Sequence, residues 1–181
     1  MHRIKFYYVV AVIILCISCI SCITVSDTGS RMGQVRSAVS RGNYDSAFLI
    51  LRSIVNNKPN SQYAAMASFA VAEYYLMKKA YVECRYALKR YLDNYPDDKG
   101  VVFAEAMLYE LSADKKNSSN AQELLDRIRE RVFSKPTFFL FSSKSKRFSY
   151  WSVFDNNYTA VDYMDRVEIL RNGKVYSKIA P

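Results

Sequence analysis

Between Tyr44 and Ile128 the chain repeats itself every 37 residues, and this spacing constrains its fold more than any other feature. Tyr44 corresponds to Tyr81, Ala47 to Cys84 and Ala121, and Leu51 to Leu88 and Leu125. Ile54 corresponds to Tyr91 and Ile128, Asn57 to Asn94, and Pro59 to Pro96. Matching positions carry matching chemistry: a small residue, an aliphatic one a turn later, then a proline that cannot continue a helix. A fixed period of this length marks one supersecondary unit stacked on copies of itself, because a lone helix pair cannot bury its own apolar face. About three copies are the minimum for a stable array.

The middle unit, Ala64 to Pro96, shows the pattern best. Ala65, Ser68, Phe69, Ala72 and Tyr75 share one face of a first helix. Tyr81, Cys84, Leu88, Tyr91 and Leu92 fall at helical spacing on a second. Ala72 and Cys84 are small enough to let two backbones approach where the helices cross. The periodicity predicts helices over 31–41, 44–57, 62–78, 81–94, 99–113 and 119–133. Gly42-Asn43, Lys58-Pro59-Asn60 and Pro96-Asp97-Asp98 supply turn chemistry between them, with Asn60, Ser61 and Asp97 as candidate N-caps. The expected fold class is mostly α, an α-solenoid of three helix pairs.

Ala72, Tyr75, Tyr81, Cys84, Leu88, Tyr91 and Pro96 have a spacing that resembles a tetratricopeptide repeat, and the resemblance covers roughly residues 29 to 135. The chain departs from that pattern at Val35 and Tyr109, which replace the small residue of the leading helix. Its last proline is displaced to Pro136, and its period exceeds the family's usual 34 or so. The resemblance implies a concave groove lined by the leading helices, which would present Met32, Arg36, Met66, Phe69, Glu73, Leu76, Phe103 and Glu110 to a partner segment. Glu73 and Glu110 would sit as charges on that exposed inner face. The basic and asparagine clamp with which some members hold a terminal carboxylate is absent, since Met32, Phe69 and Ala106 occupy its leading positions. A second arrangement places some of these side chains under the C-terminal segment, whose aromatics need a surface to cover.

Four stretches of different character divide the chain. Residues 1–22 are a lipoprotein-type signal or membrane anchor, 23–30 a short tether, 31–135 the helical repeats and 136–181 an aromatic-rich β segment. His2, Arg3 and Lys5 lead into 20 uncharged residues, Phe6 to Val25. Ile-Ser-Cys occurs twice near their end, as Ile17-Ser18-Cys19 and Ile20-Ser21-Cys22, which resembles a bacterial lipoprotein signal and implies lipidation of Cys22 or Cys19. An uncleaved anchor remains open, because 20 uncharged residues are about the length that spans a bilayer, and so does ordinary cleavage into a soluble form. All three readings place the rest of the chain outside the cytoplasm. The lipoprotein reading implies a bacterial envelope, facing the periplasm, at the outer membrane rather than the inner.

Beyond the signal the chain is poor in catalytic chemistry. The only histidine, His2, lies in that signal, and no glycine-rich phosphate loop, metal-ligand cluster or nucleophile beside a base is present. No metal, cofactor or enzymatic activity is expected. Cys84 is the one cysteine beyond residue 22, in a place where the repeat calls for a small packed residue. Loss of Arg3 and Lys5 would lower the net charge from +9 to +7. That charge is spread over many helices and reads as solvated surface, not a nucleic-acid site.

After Pro136 the periodicity changes. Thr137–Phe141 and Phe148–Phe154 read as strands, and Asn172-Gly173 marks a tight hairpin within VEILRNGKVYSKI. A helix over Thr159–Arg171 competes with the first half of that hairpin. Phe148, Tyr150, Trp151, Phe154 and Tyr158, beside Lys144, Lys146 and Arg147, form either a glycan-binding surface or a packed sheet. The expected function is a non-enzymatic protein–protein scaffold at the cell envelope. A ligand- or substrate-binding accessory subunit of an envelope transport system is the alternative.

Overall fold

The computed structural model describes residues 28–112, 119–134, 147–163 and 165–180. The predicted signal with Cys19 and Cys22, the strand Thr137–Phe141, and Lys144 and Lys146 lie outside the described residues. Six helices follow the repeat: α1 (28–40), α2 (Tyr44–Asn57), α3 (Ala64–Met77), α4 (Tyr81–Asn94), α5 (Val101–Glu110) and α6 (Ser119–Arg129). A π-helical turn, Glu130–Ser134, extends α6. Among the described residues no helix is long and apolar enough to cross a membrane.

Where the helices start is decided by chemistry that the repeat pattern underspecifies. Asn43 caps α2 by accepting a hydrogen bond from Ser46 N at 3.1 Å, as short polar side chains do at helix N-termini. Neither Asn60 nor Ser61 caps α3, which begins at Ala64 after Tyr63 without a side-chain cap. At α5 it is Asp98, not Asp97, that acts: its Oδ1 accepts from Gly100 N at 2.9 Å and from the Tyr91 hydroxyl.

Each helix packs on the next, and the small residues sit where predicted, with Ala47, Ala72, Cys84 and Ala121 fully buried. Burial pushes the Cys84 thiol up to about 12, which leaves it an inert packing residue. Tyr44 and Tyr81, at matching positions, stay substantially exposed.

The C-terminal segment forms a four-stranded antiparallel meander, β1 (Arg147–Trp151), β2 (Asn157–Tyr163), β3 (Arg166–Arg171) and β4 (Lys174–Ile179), in that order. Asn172 and Gly173 take φ of 51° and 75°, the positive-φ pair of a tight hairpin turn, and join β3 to β4. The helix considered for Thr159–Arg171 is thereby excluded: β2 and β3 fill that stretch, pairing Ala160 with Ile169. The strand predicted as Phe148–Phe154 stops at Trp151, because Ser152–Asn156 turns the chain, with Asp155 at a φ of 57°.

One face of the sheet lies on the helices. Tyr158, Ala160, Val167, Ile169 and Ile179 join a core shared with α3, α4, α5 and α6. A second core joins α1, α2 and α3 and takes in Val153 and Phe154 from the turn after β1. Gly100 marks the tightest seam. A Cβ there would lie 2.7 Å from the Tyr91 hydroxyl and 3.2 Å from both Asp98 Oδ1 and Tyr150 Cζ. Tyr91 cannot swing aside, being fully buried and bonded to Asp98. Gly100→Ala should therefore cost about 1–3 kcal/mol, the usual penalty for overpacking, measurable as a drop in urea midpoint. An unchanged midpoint would show that the seam gives way.

Candidate interaction surfaces

The predicted groove is not an open surface. Its leading-helix residues fall in three situations. Phe69, Glu73 and Phe103 are fully buried, and so is Met32, within the α1–α2–α3 core. Met66, Leu76 and Glu110 are half-buried, and Arg36 alone is exposed. The inner face of α3 and α5 is covered by the protein's own sheet. Phe69 meets Tyr150 and Tyr158 edge-on at 5.1 and 5.5 Å, and Tyr91 at 5.5 Å. Phe103 stacks on Phe148 at 5.7 Å. Such ring pairs add to the apolar area they bury.

The aromatic C-terminal surface resolves the same way. Phe148, Tyr150 and Tyr158 pack inward, and Phe154 meets Tyr44 at 5.8 Å from the turn. Trp151 alone, 63% exposed, could still meet a ligand. The glycan-binding reading thus loses four of its five rings.

Glu73 is the polar centre of this interface. Its Oε1 accepts from the Tyr158 hydroxyl at 2.7 Å and from Asn156 Nδ2 at 3.0 Å. Asn156 Oδ1 in turn accepts from Asn172 Nδ2 at 2.8 Å, and Asn172 Oδ1 accepts from Asn157 N at 2.8 Å. One carboxylate on α3 therefore fixes both the turn after β1 and the hairpin of β3 and β4. Glu73 Oε2 has no hydrogen bond of ordinary geometry, although the Ser152 hydroxyl is near enough to favour the charged form. Burial outweighs these partners and the nearby Arg171, and pushes the carboxyl up to about 7. The arrangement makes a protonatable strut. Glu73 lines none of the clefts found among the described residues.

Open surface is found on the helices away from the sheet. Leu49 on α2 and Tyr86 on α4 are 64% and 71% exposed and stand 37 residues apart, at matching repeat positions. Val82 lies a turn before Tyr86 and is comparably open. Two clefts separate the second helices of successive pairs. One, between α2, α3 and α4, encloses about 190 Å³ and is lined by residues that include Arg52, Ser68, Tyr75, Tyr86 and Arg90. The other, between α4, α5 and α6, encloses about 320 Å³ around Glu105, Arg127 and Arg131. Neither is legible as a site from the groove logic, which concerns only the leading helices. The signal that could find them is the 37-residue offset applied to the charged positions of the second helices.

Among the described residues no group of histidine, cysteine and acidic side chains is arranged to hold a metal ion. A family model described as a tetratricopeptide repeat-like domain matches residues 25–137. Comparison with curated proteins finds no match.

Proposed function

The chain belongs to the tetratricopeptide repeat-like domain family, and from that premise we propose a non-enzymatic scaffold that binds other proteins at the bacterial cell envelope. Its tether would be a lipidated Cys22 or Cys19, holding the helical array on the periplasmic side of the outer membrane. The observation that carries the binding role is the exposed apolar side chain recurring at the repeat offset, Leu49 on α2 and Tyr86 on α4. Two apolar contacts one repeat apart along one side suit an extended protein partner, and aromatic anchors dominate such contacts. The concave side, where members of this family take their partners, is occupied here by the sheet. We therefore assign partner binding to the second helices. The alternative role, a carrier of small ligands for a transport system, has less support, because the groove it was expected to use lies under the sheet.

The test is crosslinking in intact cells, followed by purification from the envelope fraction. One or a few proteins should be recovered with the chain, and recovery should fall at least fivefold for a Val82→Ser/Tyr86→Ser variant that keeps its thermal midpoint. The mass of the purified chain should show a lipid on Cys19 or Cys22. Recovery of the chain with nothing but itself and lipid would reject the scaffold, and an unlipidated mature chain would reject the tether.

A further inference from the structure

The two clefts between second helices are copies of one another. Adding 37 to the lining of the first gives most of the lining of the second: Ser68 becomes Glu105, Arg90 becomes Arg127, and Arg52 becomes Lys89. Val71 becomes Leu108 and Asn56 becomes Asp93 in the same way. Because the walls are equivalent, a difference in contents is informative.

In the second cleft the protein supplies its own carboxylate. Glu105 is buried on the floor, with Arg127 Nε at 3.4 Å from one oxygen and Arg131 Nε at 3.4 Å from the other. The lining as a whole balances, with Lys89, Arg127 and Arg131 facing Asp93, Glu105 and Glu123. In the first cleft the floor position is Ser68, and Arg52 and Arg90 line it with no carboxylate. Among the described residues neither arginine has an ion pair. Arg52 is held by its guanidinium lying over the Phe48 ring at 5.6 Å, which fixes it without neutralising it. Tyr75 and Tyr86 supply walls around the pair.

We propose that the cleft between α2, α3 and α4 takes an acidic side chain, glutamate or aspartate, from a segment of a partner protein. The partner's carboxylate would sit between Arg52 and Arg90, over the Ser68 hydroxyl, as Glu105 sits against Arg127 and Arg131 one repeat further on. The volume agrees with that occupant. About 190 Å³ is below the roughly 300 Å³ at which pockets begin to hold drug-sized ligands, yet admits one side chain. Arginine suits the task because its planar, permanently charged fork matches a carboxylate. Tyr86 both walls this cleft and belongs to the exposed apolar row, so an acidic residue beside an apolar one is the sequence to expect in the partner. The inference rests on the scaffold reading and names the chemistry of its partner.

The probe is a fluorescein-labelled octaglutamate peptide, titrated by anisotropy against the full chain in neutral detergent at low salt. Inorganic phosphate is titrated alongside as a competitor. Saturable binding is expected, at least tenfold weaker in Arg52→Ser/Arg90→Ser and unchanged in the equal-charge control Lys99→Ser/Lys174→Ser. Ser68→Glu should abolish binding by filling the cleft from within, as Glu105 does in its copy. No saturable binding, equal loss in the control pair, or full binding to both cleft variants overturns the proposal. Phosphate binding without peptide binding overturns it as well, by assigning the arginines to a different anion. If the crosslinked partners persist while octaglutamate fails, the scaffold stands and only the acidic site falls.

Discussion

Phe69→Ala is expected to destabilise the fold by about 3–5 kcal/mol, the usual cost of truncating a large aromatic in a closed core. The ring is fully buried where α3, α4 and the sheet converge, and touches Tyr91, Tyr150 and Tyr158 at once. Those neighbours are themselves anchored: Tyr91 to Asp98 and Tyr158 to Glu73. They cannot collapse into the vacancy, so the penalty belongs at the upper part of the range. Urea denaturation followed by tyrosine fluorescence would show it as a lowered midpoint. A cost below about 1 kcal/mol would mean that Phe69 lines an open groove after all, since an exposed ring contributes little to stability.

The second large effect is a dependence of stability on pH carried by Glu73. In the unfolded chain its carboxyl ionises near its ordinary value of 4.5, and in the folded protein near 7. Between those values the folded protein retains a proton that the unfolded chain has released. Stability attributable to this group therefore falls as pH rises from about 4.5 to about 7, by about 3 kcal/mol in all, and is lost fully above that window. The proton has an evident seat on Oε2, the oxygen without an ordinary hydrogen bond. Glu73→Gln should remove most of this slope, because its amide keeps an acceptor for Tyr158 and Asn156 and never ionises. Urea midpoints at pH 5, 6, 7 and 8 would decide it. Parallel curves for the two proteins would show that Glu73 ionises normally.

The repeats are legible in the sequence because periodicity is a property of the chain itself: Ala47, Cys84 and Ala121 have to be small wherever helices cross, and they are buried as expected. Asn172-Gly173 is legible for a similar reason, since few dipeptides enter two positive-φ positions at once. The covering of the inner face is harder to read, since it is a meeting of distant segments, and Glu73 lies 85 residues from Tyr158. A local clue exists in α3, whose sequence AAMASFAVAEYYLM is apolar all round and so calls for burial on every side. Ser68, Val71 and Tyr75 serve one side and Phe69 and Glu73 the other. In sequence alone Glu73 reads as solvated, because a lone carboxylate is usually exposed. Its burial becomes tolerable only when Tyr158 and Asn156 arrive from the sheet to bond it.

The sheet that roofs the inner face also sets an order of events during synthesis. Helices α1–α6 leave the ribosome before β1–β4, so for a time Phe69, Phe103 and Glu73 face the solvent with no roof. A chain cut between α6 and β1 would keep that aromatic surface bare permanently, and bare apolar surface is what aggregation and quality-control proteases act on. The last four strands thus act as the cover that keeps the helical array from presenting its aromatic inner face to other chains.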